Sequence, residues 1–530
     1  MMILVTAEQM RRADRRTIAE IGLPGAVLME NAAQGAVRVL SRAVGDIAGL
    51  DVAAFCGRGN NGGDGLAMLR IMANQGARCR AYLMCRGQDL AGDAALNYRV
   101  ALACGVQVTE VPDEESLERL LPGMVGHQLY LDALLGTGLN SEVRGRYRRA
   151  IELLNDLEAP VLAVDIPSGL CADTGQVLGT AVRADFTATF GLVKLGLALE
   201  PGDLVGELTL VDISIPPKVA VELEPRAAMI EAELVAGLLP PRPAGGHKGT
   251  FGHLLVVGGS PGKSGAVCLA AQGGLRAGAG LVTVGLPVGL NPVAEVKLTA
   301  AMSLPLAQTP GGGLAAEARP AVAEQAARST AVVLGPGLGE DPASRELAAD
   351  LAAELPTPLV VDADGLNALA GRDLDGLGWD ARRVILTPHP GEAARLLNCT
   401  VPEILADRSA AARRLSQRSA AVVVLKGART VVASPGGDLW VNPSGNPLLA
   451  SGGSGDVLAG TVGGLLAQGL EALEAALVGV LVHGLAADLA RADYGRRGLA
   501  AEELADYLPP AFALLEEEPG DQPEPEPDGS

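Results

Sequence analysis

The chain has 530 residues, of which 48% are hydrophobic and only 2% aromatic, and its formal net charge is −20. Because single cores seldom grow beyond ~250–300 residues, this length predicts two large domains or three. The negative charge argues against nucleic acid as the main partner, since a phosphate backbone needs a basic surface. Cores built from Ala, Leu and Val suit parallel sheets covered by helices.

The seven cysteines form no C-x-x-C pair and are odd in number, which is typical of a reducing cytoplasm rather than a disulfide framework. The first residues lack the apolar core of a signal peptide. The best transmembrane candidate, 475–490, is too short and contains His483 and Asp488. We therefore expect a soluble, cytoplasmic protein with no membrane partner. The Pro-Glu run in 516–530 predicts a disordered acidic tail.

The first 220 residues alternate short apolar runs with helical stretches, a pattern that predicts a mainly parallel sheet with helices on both faces. The run that begins at Asp51 leads into a glycine-rich segment, 57–65, and helical spacing returns at Leu66. Strand, glycine-rich loop and helix in this order form the layout in which doubly wound sheets bind ligands. Asn-Gly and Asp-Gly are also ordinary turn signals, so either dipeptide alone would indicate only a turn.

Two later strands end in an aspartate followed by glycine, at Asp132 and at Asp165. Taken singly, each aspartate could simply cap a loop. Parallel strands bring their carboxyl ends to one edge, so Asn61, Asp132 and Ser168 could meet there and offer hard oxygen ligands to a hard cation. Asp165 is then left for acid/base work.

The motifs N-N-G-G-D-G, D-x-x-x-G-T-G and D-x-P-S-G occur here in order, and the chain from about 1 to 220 resembles the NAD(P)H-hydrate epimerases. The resemblance implies a Rossmann-like three-layer sandwich, potassium held by Asn61, Asp132 and Ser168, and Asp165 in contact with the substrate. The residues that would cradle the hydrated dinucleotide are Asn60, Asn61, Gly62, Gly63, Asp64, Gly136, Thr137, Gly138, Leu139, Asn140, Ser141 and Glu142.

A proline-containing connector, 216–225, predicts a boundary between a first domain, 1–222, and a second, 223–515, which would open with a helix over 228–239. The second domain's first strand leads into a loop that contains Gly258 and Lys263. A phosphate-binding P-loop needs four residues between its first glycine and the Gly-Lys pair. Only three lie between Gly258 and that pair, so the motif is rejected. A glycine-rich turn that lines a substrate pocket remains.

Glycines at 452, 453 and 455 precede a helical stretch from Val457. Free backbone N–H groups and the helix dipole at such a turn suit a phosphoryl group, and Asp456 beside them suits a base that deprotonates a hydroxyl. Asp456 could equally be a helix cap, with the glycines serving close packing.

Two further side chains follow apolar strands of the second half. Lys426 could meet nucleotide phosphates or pair with a carboxylate. His389 lies between two prolines at a pocket edge, whereas His483, inside an Ala/Leu helix, is expected to be structural.

The series K-G-T-x-G, G-P-G-L-G, D-A-D-G-L-N, T-P-H-P-G-E, K-G-x-x-T and G-S-G-D-V-L-A-G makes the chain from about Ala228 to Leu515 resemble the ribokinase-like NAD(P)H-hydrate dehydratases. The resemblance implies ADP as co-substrate and Mg²⁺ as its metal. The residues that would contact the hydrate are Ala266, Gly337, His389 and Asp456, and those that would bind the nucleotide are Lys426, Gly427, Ala428, Arg429, Thr430 and Gly455.

Together the two resemblances predict an α/β protein of two doubly wound domains that repairs hydrated NADH and NADPH (NADHX and NADPHX). One domain would interconvert the R and S hydrates, with Asp165 as acid/base. The other would dehydrate the S hydrate with ADP, giving NAD(P)H, AMP and phosphate. We also expect a homo-oligomer. The alternatives are a ribokinase-like vitamin or sugar kinase, and a nucleotide sensor without turnover, which would have no need of Asp456 beside an anion hole.

Overall fold

The computed structural model describes residues 2–516. The chain divides into two compact units, Met2–Ala227 and the part from Ala228 onward. Each unit contains a large sheet with helices, so the prediction of an α/β protein with two doubly wound domains is confirmed. The predicted acidic tail lies outside the described residues except for Glu516, which ends the last described helix.

The N-terminal unit is built from short strands and helices in alternation. Its strands are β1 (Leu4–Val5), β2 (Asp51–Cys56), β3 (Arg78–Leu83), β4 (Gln107–Glu110), β5 (Leu129–Ala133), β6 (Val161–Val164), β7 (Phe186–Phe190), β8 (Val193–Lys194) and β9 (Glu207–Val211). Its α-helices are α1 (Ala7–Arg16), α2 (Gly25–Val44), α3 (Asn60–Asn74), α4 (Gly92–Ala103), α5 (Glu114–Leu120), α6 (Gly145–Asn155), α7 (Leu195–Leu199) and α8 (Pro217–Val221).

The main N-terminal sheet has the order β4-β3-β2-β5-β6-β7-β9, and all its neighbouring strands are parallel. One face packs on α2, α3 and α4, and the other on α5 and α6. This is the predicted three-layer sandwich. The strand order reverses between β2 and β5, and such a switch point opens a crevice at the carboxyl ends of the strands.

The glycine-rich segment after β2 differs from its prediction, because α3 begins at Asn60 and not near Leu66. A Cβ on Gly62 would lie 2.0 Å from the carbonyl oxygen of Gly57, and one on Gly63 would lie 2.9 Å from Ala94 Cα. Glycine costs roughly 1 kcal/mol in a helix interior, but here it lets α3 approach the end of β2 and α4. The helix therefore holds Asn61 and Asp64 rigidly in its first turns.

The C-terminal unit follows the same plan at larger size. Its strands are β10 (Ala227–Met229), β11 (His253–Val257), β12 (Leu281–Pro287), β13 (Met302–Leu306), β14 (Ala331–Leu334), β15 (Leu359–Val361), β16 (Val384–Leu386), β17 (Val422–Leu425), β18 (Val431–Ala433) and β19 (Leu439–Val441). Its α-helices are α9 (Ala232–Ala236), α10 (Ser264–Arg276), α11 (Asn291–Lys297), α12 (Arg319–Ala327), α13 (Pro342–Glu354), α14 (Asp364–Leu369), α15 (Pro390–Leu397), α16 (Val401–Ala406), α17 (Arg408–Ser419), α18 (Ser454–Ala467), α19 (Ala472–Tyr494), α20 (Ala501–Asp506) and α21 (Leu508–Glu516).

The C-terminal sheet has the order β10-β19-β18-β17-β16-β15-β14-β11-β12-β13, with the strands from β13 to β17 parallel and β18 and β19 antiparallel. Its order reverses between β11 and β14, so a second crevice is expected there. The helix predicted over 228–239 was wrong in its first half, where β10 lies beside β19 and Ile230 N donates to Val441 O over 3.0 Å. Pairing at the sheet edge overrides the helix propensity of alanine.

One helix of the described residues, α19, is long and apolar enough by composition to cross a membrane, with a mean hydropathy of 1.6 over an 18-residue window. It is longer than the stretch 475–490 read from the sequence. Since 72% of that window is buried inside the protein, α19 has the character of a core helix.

Candidate functional site

The N-terminal unit contains a cavity of about 620 Å³ at the switch point between β2 and β5. Most of the residues predicted to cradle a dinucleotide line it. They are Asn60, Asn61, Asp64, Gly136, Thr137, Gly138, Leu139, Asn140, Ser141 and Asp165. Gly62, Gly63 and Glu142 are not among the lining residues: the two glycines lie where α3 approaches the end of β2 and α4, and Glu142 forms an ion pair with Arg144 at 2.7 Å.

Asp165 follows β6 in a left-handed conformation, with a φ of 69°. Its Oδ1 accepts hydrogen bonds from Lys194 Nζ and, over 3.1 Å, from Phe190 N. Lys194 is fully buried and also donates to Thr189 Oγ1 over 3.0 Å and to Phe190 O over 2.9 Å. The Lys194 ammonium group therefore pairs with the Asp165 carboxyl group inside the protein.

Two further carboxyl groups line the same cavity, Asp14 on α1 and Asp64 on α3. Burial raises the pKa of Asp14 to about 6, with Lys194 opposing the rise and Asp165 adding to it. Burial raises the pKa of Asp64 well above its usual value, and Asp165 and Asp14 raise it further. The cavity thus combines Asp165, which is paired with a lysine, and two carboxyl groups whose pKa values are raised by burial.

Behind the cavity, Asp132 and Ser168 are completely buried and bonded to each other. Ser168 N donates to Asp132 Oδ2 over 2.7 Å, and Ser168 Oγ donates to Asp132 Oδ1 over 2.6 Å. Asn61 lies against Gly136, next to the Leu135 amide that donates to Ser168 Oγ. Both side-chain polar atoms of Asn61 are buried without a hydrogen-bond partner. An unsatisfied amide beside buried oxygens suits a cation, because a buried polar group without a partner is costly.

In the C-terminal unit, Asp456 lies in the first turn of α18, after Gly453 in a left-handed conformation with a φ of 96°. Burial raises the pKa of Asp456 to about 7, Asp362 raises it further, and Lys426 opposes the rise. A Cβ on Gly455 would lie 3.4 Å from Lys426 Nζ. The start of α18 and the end of β17 therefore meet around this lysine.

Lys426 donates from Nζ to Asp362 Oδ1 over 2.6 Å, and Glu392 Oε2 lies 3.9 Å from the same nitrogen. Burial alone would lower the pKa of Lys426, but Asp362 and Glu392 outweigh it and raise the pKa above its usual value. Burial also raises the pKa of Glu392 to about 7. The ion pair that the sequence offered as an alternative for Lys426 is thus present, among three carboxyl groups.

The segment after Lys426 is braced from α17. Arg408 donates to Ala428 O over 2.5 Å and to Arg429 O over 3.0 Å, and Thr430 Oγ1 donates to Gly427 O over 2.9 Å. These bonds fix 427–430 beside the start of α18.

The two histidines differ in role. His389 Nδ1 accepts hydrogen bonds from Gly391 N over 2.9 Å and Glu392 N over 3.3 Å, so His389 caps α15, with half of its side chain exposed. His483 is buried and donates from Nε2 to Ser454 O over 2.9 Å. The prediction that His483 is structural is confirmed, because it anchors the first residue of α18.

Ala266 and Gly337 lie together, since a Cβ on Gly337 would be 3.1 Å from Ala266 Cβ. They connect to Asp456 through Asp364, whose Oδ2 accepts from Gly339 N over 2.8 Å and from Lys263 Nζ over 3.2 Å. Asp364 also raises the pKa of Asp456. All the predicted residues of this site therefore lie along the carboxyl ends of neighbouring strands and the start of α18.

Four side chains of the two sites were not selected from the sequence: Asp14, Lys194, Asp362 and Glu392. One signal was available for Lys194, because the chain has only six lysines and this one stands in an apolar segment. Asp14 gives no such signal, since it lies in a helix with several other charged residues.

Two family models match the chain in the order of its domains. Residues 25–196 match a model described as YjeF-related protein N-terminus, and residues 254–510 match a model described as NAD(P)H-hydrate dehydratase.

Curated relatives match almost the whole chain. The bifunctional NAD(P)H-hydrate repair enzyme Nnr of Moorella thermoacetica is 42% identical over 519 residues, which cover 98% of each chain. The enzyme of the same name from Escherichia coli is 37% identical over 95% of this chain and 92% of its own. A crystal structure of the ADP/ATP-dependent NAD(P)H-hydrate dehydratase of Bacillus subtilis, crystallised with ATP and Mg²⁺, is 33% identical, with a TM-score of 0.47, and covers 54% of this chain and 98% of its own.

Proposed function

The chain belongs to the family of bifunctional NAD(P)H-hydrate repair enzymes, and we propose that each of its two sites carries out one of the two reactions. The protein epimerises the R and S hydrates of NADH and NADPH, and it dehydrates the S hydrate at the expense of ADP, giving NAD(P)H, AMP and phosphate. The substrates are therefore small nucleotides. The finer assignments below rest on the contacts of each site.

For dehydration, the observation that carries the proposal is a raised-pKa carboxyl group, Asp456, in the first turn of a helix beside Lys426. Asp456 takes the proton from the C6 hydroxyl, and that oxygen attacks the β-phosphoryl group of ADP, releasing AMP. The backbone N–H groups at the start of α18 stabilise the transferring phosphoryl group. Phosphate then leaves C6 and a proton leaves C5, which restores the C5–C6 double bond.

Nucleotide binding is assigned to Gly455 and to 426–430, the segment that Arg408 braces. Lys426 neutralises phosphate charge, and the paired carboxylates around it keep the lysine charged. Ala266, Gly337 and His389 would contact the hydrate.

Magnesium would accompany the nucleotide. Within residues 2–516 no group of three His, Cys, Asp or Glu side chains is arranged as a metal cage. Mg²⁺ is commonly bound through one or two carboxylates together with substrate phosphates, so the carboxylates around Lys426 are sufficient. Bound there, the ion would neutralise charge on the transferring phosphate.

For epimerisation, Asp165 is the acid/base, and Lys194 positions it through a hydrogen bond to Oδ1. Asn61, Asp132 and Ser168 would hold potassium, whose charge would satisfy the buried Asn61 amide oxygen and the Asp132 carboxylate. Burial raises the pKa of Asp132 to about 6, and a bound cation would lower it. Ser168→Ala should therefore weaken the response of epimer exchange to potassium.

The test uses the full chain with a mixture of hydrate epimers and ADP. The enzyme should consume both epimers, which is followed by the recovery of dihydronicotinamide absorbance. One phosphate and one AMP should be released per NAD(P)H formed. A phosphorylated product that persisted would favour the kinase alternative instead, and binding without turnover would favour the sensor.

Three further expectations stay predictions. We propose a cytoplasmic location, in keeping with the free cysteines of the described residues. We also propose a homo-oligomer, which light scattering after gel filtration would test. Neither domain needs a nucleic acid or membrane partner for the chemistry proposed here.

A further inference from the structure

Inversion at C6 of the nicotinamide ring requires more proton transfer than one carboxylate can supply. The hydroxyl group of one epimer lies on one face of the ring, and that of the other epimer lies on the opposite face. A group positioned to protonate the departing oxygen on one face cannot also deprotonate the incoming oxygen on the other without moving. A second acid/base group is therefore needed.

Asp14 meets the geometric requirement for such a group. It lies on α1, whereas Asp165 follows β6, and both side chains line the same cavity. Among residues 2–516, no donor forms a hydrogen bond with the Asp14 carboxyl group, in contrast to Asp165, which accepts from Lys194 and Phe190. Asp165 is thus held in place by two donors, and Asp14 remains available to a ligand.

We propose that Asp14 is a second catalytic acid/base of the epimerase cavity, which protonates the departing C6 hydroxyl while Asp165 deprotonates the incoming water. This inference rests on the proposed epimerase function and extends it to a residue outside the glycine-rich motifs.

The charged groups around Asp14 support this division of roles. The other charged residues that line the cavity are Arg11, Arg58, Asp64, Asp93, Asp165 and Lys194. A pKa of about 6 for Asp14 lets it populate both protonation states near neutral pH, as an acid/base must. Burial also raises the pKa of Asp64, which favours its protonated form as a hydrogen-bond donor to a ligand.

The steps balance as follows. The Asp14 proton passes to the C6 hydroxyl, the C6–O bond breaks, and the N1 lone pair forms an N1=C6 iminium while water leaves. Water then adds to the opposite face of C6, and its proton passes to Asp165. Epimerisation in the reverse direction returns the proton from Asp165 to Asp14. The iminium is a cation, and Asp165 together with Asp14, once Asp14 has given up its proton, can oppose that charge from the lining of the cavity.

The experiment measures exchange between separated R and S hydrates in the full-length protein, after subtraction of the rate without enzyme. Asp14→Asn should lower exchange by roughly 10²-fold or more. In the wild-type protein kcat/KM for exchange should fall as the pH rises and Asp14 loses its proton. Asp14→Glu should show the same fall of kcat/KM with rising pH, at a lower overall rate. The matched control is Asp46→Asn, which alters an exposed carboxyl group outside the cavity and should exchange epimers like the wild type.

A second measurement needs no variant. Exchange in H₂¹⁸O should introduce one ¹⁸O at C6 for each epimerisation catalysed by the wild-type protein. Epimer exchange without oxygen exchange would overturn the route through water loss.

The outcomes separate this inference from the function it rests on. If Asp14→Asn exchanges epimers within about twofold of wild type, or if its pH profile is unchanged, Asp14 has no acid/base role. If the wild-type protein exchanges no epimers, the epimerase function itself fails. Dehydration of the S hydrate by Asp14→Asn should equal that of the wild type, and an unchanged thermal unfolding curve would show that the N-terminal domain of the variant is folded.

Discussion

At the scale of the residue, Asp456 is held in an environment that opposes its ionisation. Burial, Asp362 and Asp364 all raise its pKa, and Lys426 offsets only part of the rise. A carboxyl group that served only as a helix cap would be expected in contact with backbone donors, which lower its pKa. A buried group with a pKa matched to neutral pH is typical of a catalytic base.

We expect Asp456→Asn to abolish dehydration while binding is kept. The amide has nearly the same size and position but cannot accept the proton, so the rate should fall by ~10²–10⁴. The measurement is single-turnover NAD(P)H formation, with ADP binding followed by calorimetry. For the wild-type protein kcat/KM should increase with pH and reach half of its maximum near pH 7, where Asp456 ionises. Near wild-type turnover by the variant would leave Asp456 as a cap only.

The same substitution should stabilise the protein in a pH-dependent way. Burial raises the pKa of Asp456 from 3.8 to about 7 in the folded protein. Between pH 3.8 and about 7, the folded protein therefore binds a proton at Asp456 that the unfolded chain has already released. The contribution of Asp456 to the free energy of unfolding therefore falls as pH rises through this window, by about 4 kcal/mol at roughly 1.4 kcal/mol per pKa unit. Asp456→Asn should gain thermal stability relative to wild type at pH 8 and little at pH 4.5. A gain that was the same at both pH values would contradict the raised pKa.

At the scale of the element, α18 is positioned by close contact with α10. A Cβ on Gly460 would lie 1.9 Å from Ala270 O, and one on Gly273 would lie 2.3 Å from Val457 O. Gly460 therefore serves close packing, a role that the sequence had suggested for Gly452, Gly453 and Gly455 instead. Because Gly460 lies one turn after Asp456, this packing also sets the position of the carboxyl group.

Gly460→Ala should destabilise the protein even though alanine is the better helix former. Overpacking typically costs about 1–3 kcal/mol, more than the roughly 1 kcal/mol gained in helix propensity. Urea unfolding would measure the change, and dehydration should weaken as α18 moves. The matched control is Gly265→Ala in α10, where a Cβ would meet nothing within 4 Å. If the two substitutions changed the free energy of unfolding equally, the close contact between α10 and α18 would not contribute to stability.

At the scale of the whole molecule, each unit has its own sheet and its own hydrophobic core. Leu223 is buried in the N-terminal core, whereas β10, which begins at Ala227, belongs to the C-terminal sheet. A cut after Arg226 therefore preserves both cores better than the predicted boundary at 222.

We expect fragments 1–226 and 227–530 to fold separately, since each owns a complete sheet. The C-terminal fragment should dehydrate only the S hydrate and stop near the fraction initially present. Addition of the N-terminal fragment should then restore consumption of the remainder. If the C-terminal fragment alone consumed both epimers at the wild-type rate, the division of labour between the domains would be wrong.

Much of the fold follows from local pattern. Apolar runs that alternate with helical stretches predicted the parallel sheets and the doubly wound class. This was possible because hydrophobic periodicity and the spacing of βαβ units are local properties of the sequence. The polar residues at strand ends, from Asp132 to Lys426, were found in the same way. Local pattern predicted the start of α3 and the structure at Ala228 wrongly. At α3 the close approach of glycines to neighbouring elements outweighed helix propensity, and at Ala228 pairing with the sheet did so.

The sequence by itself determined the family, the two α/β domains and the residues of the glycine-rich motifs. Only the tertiary structure decided which charges meet. Lys194 and Asp165 are 29 residues apart, Lys426 and Asp362 are 64 apart, and Asp14 reaches the same cavity from the first helix. Charge pairing and burial depend on distances across the fold, and these set the pKa values of Asp14 and Asp456, so no local pattern could have revealed them.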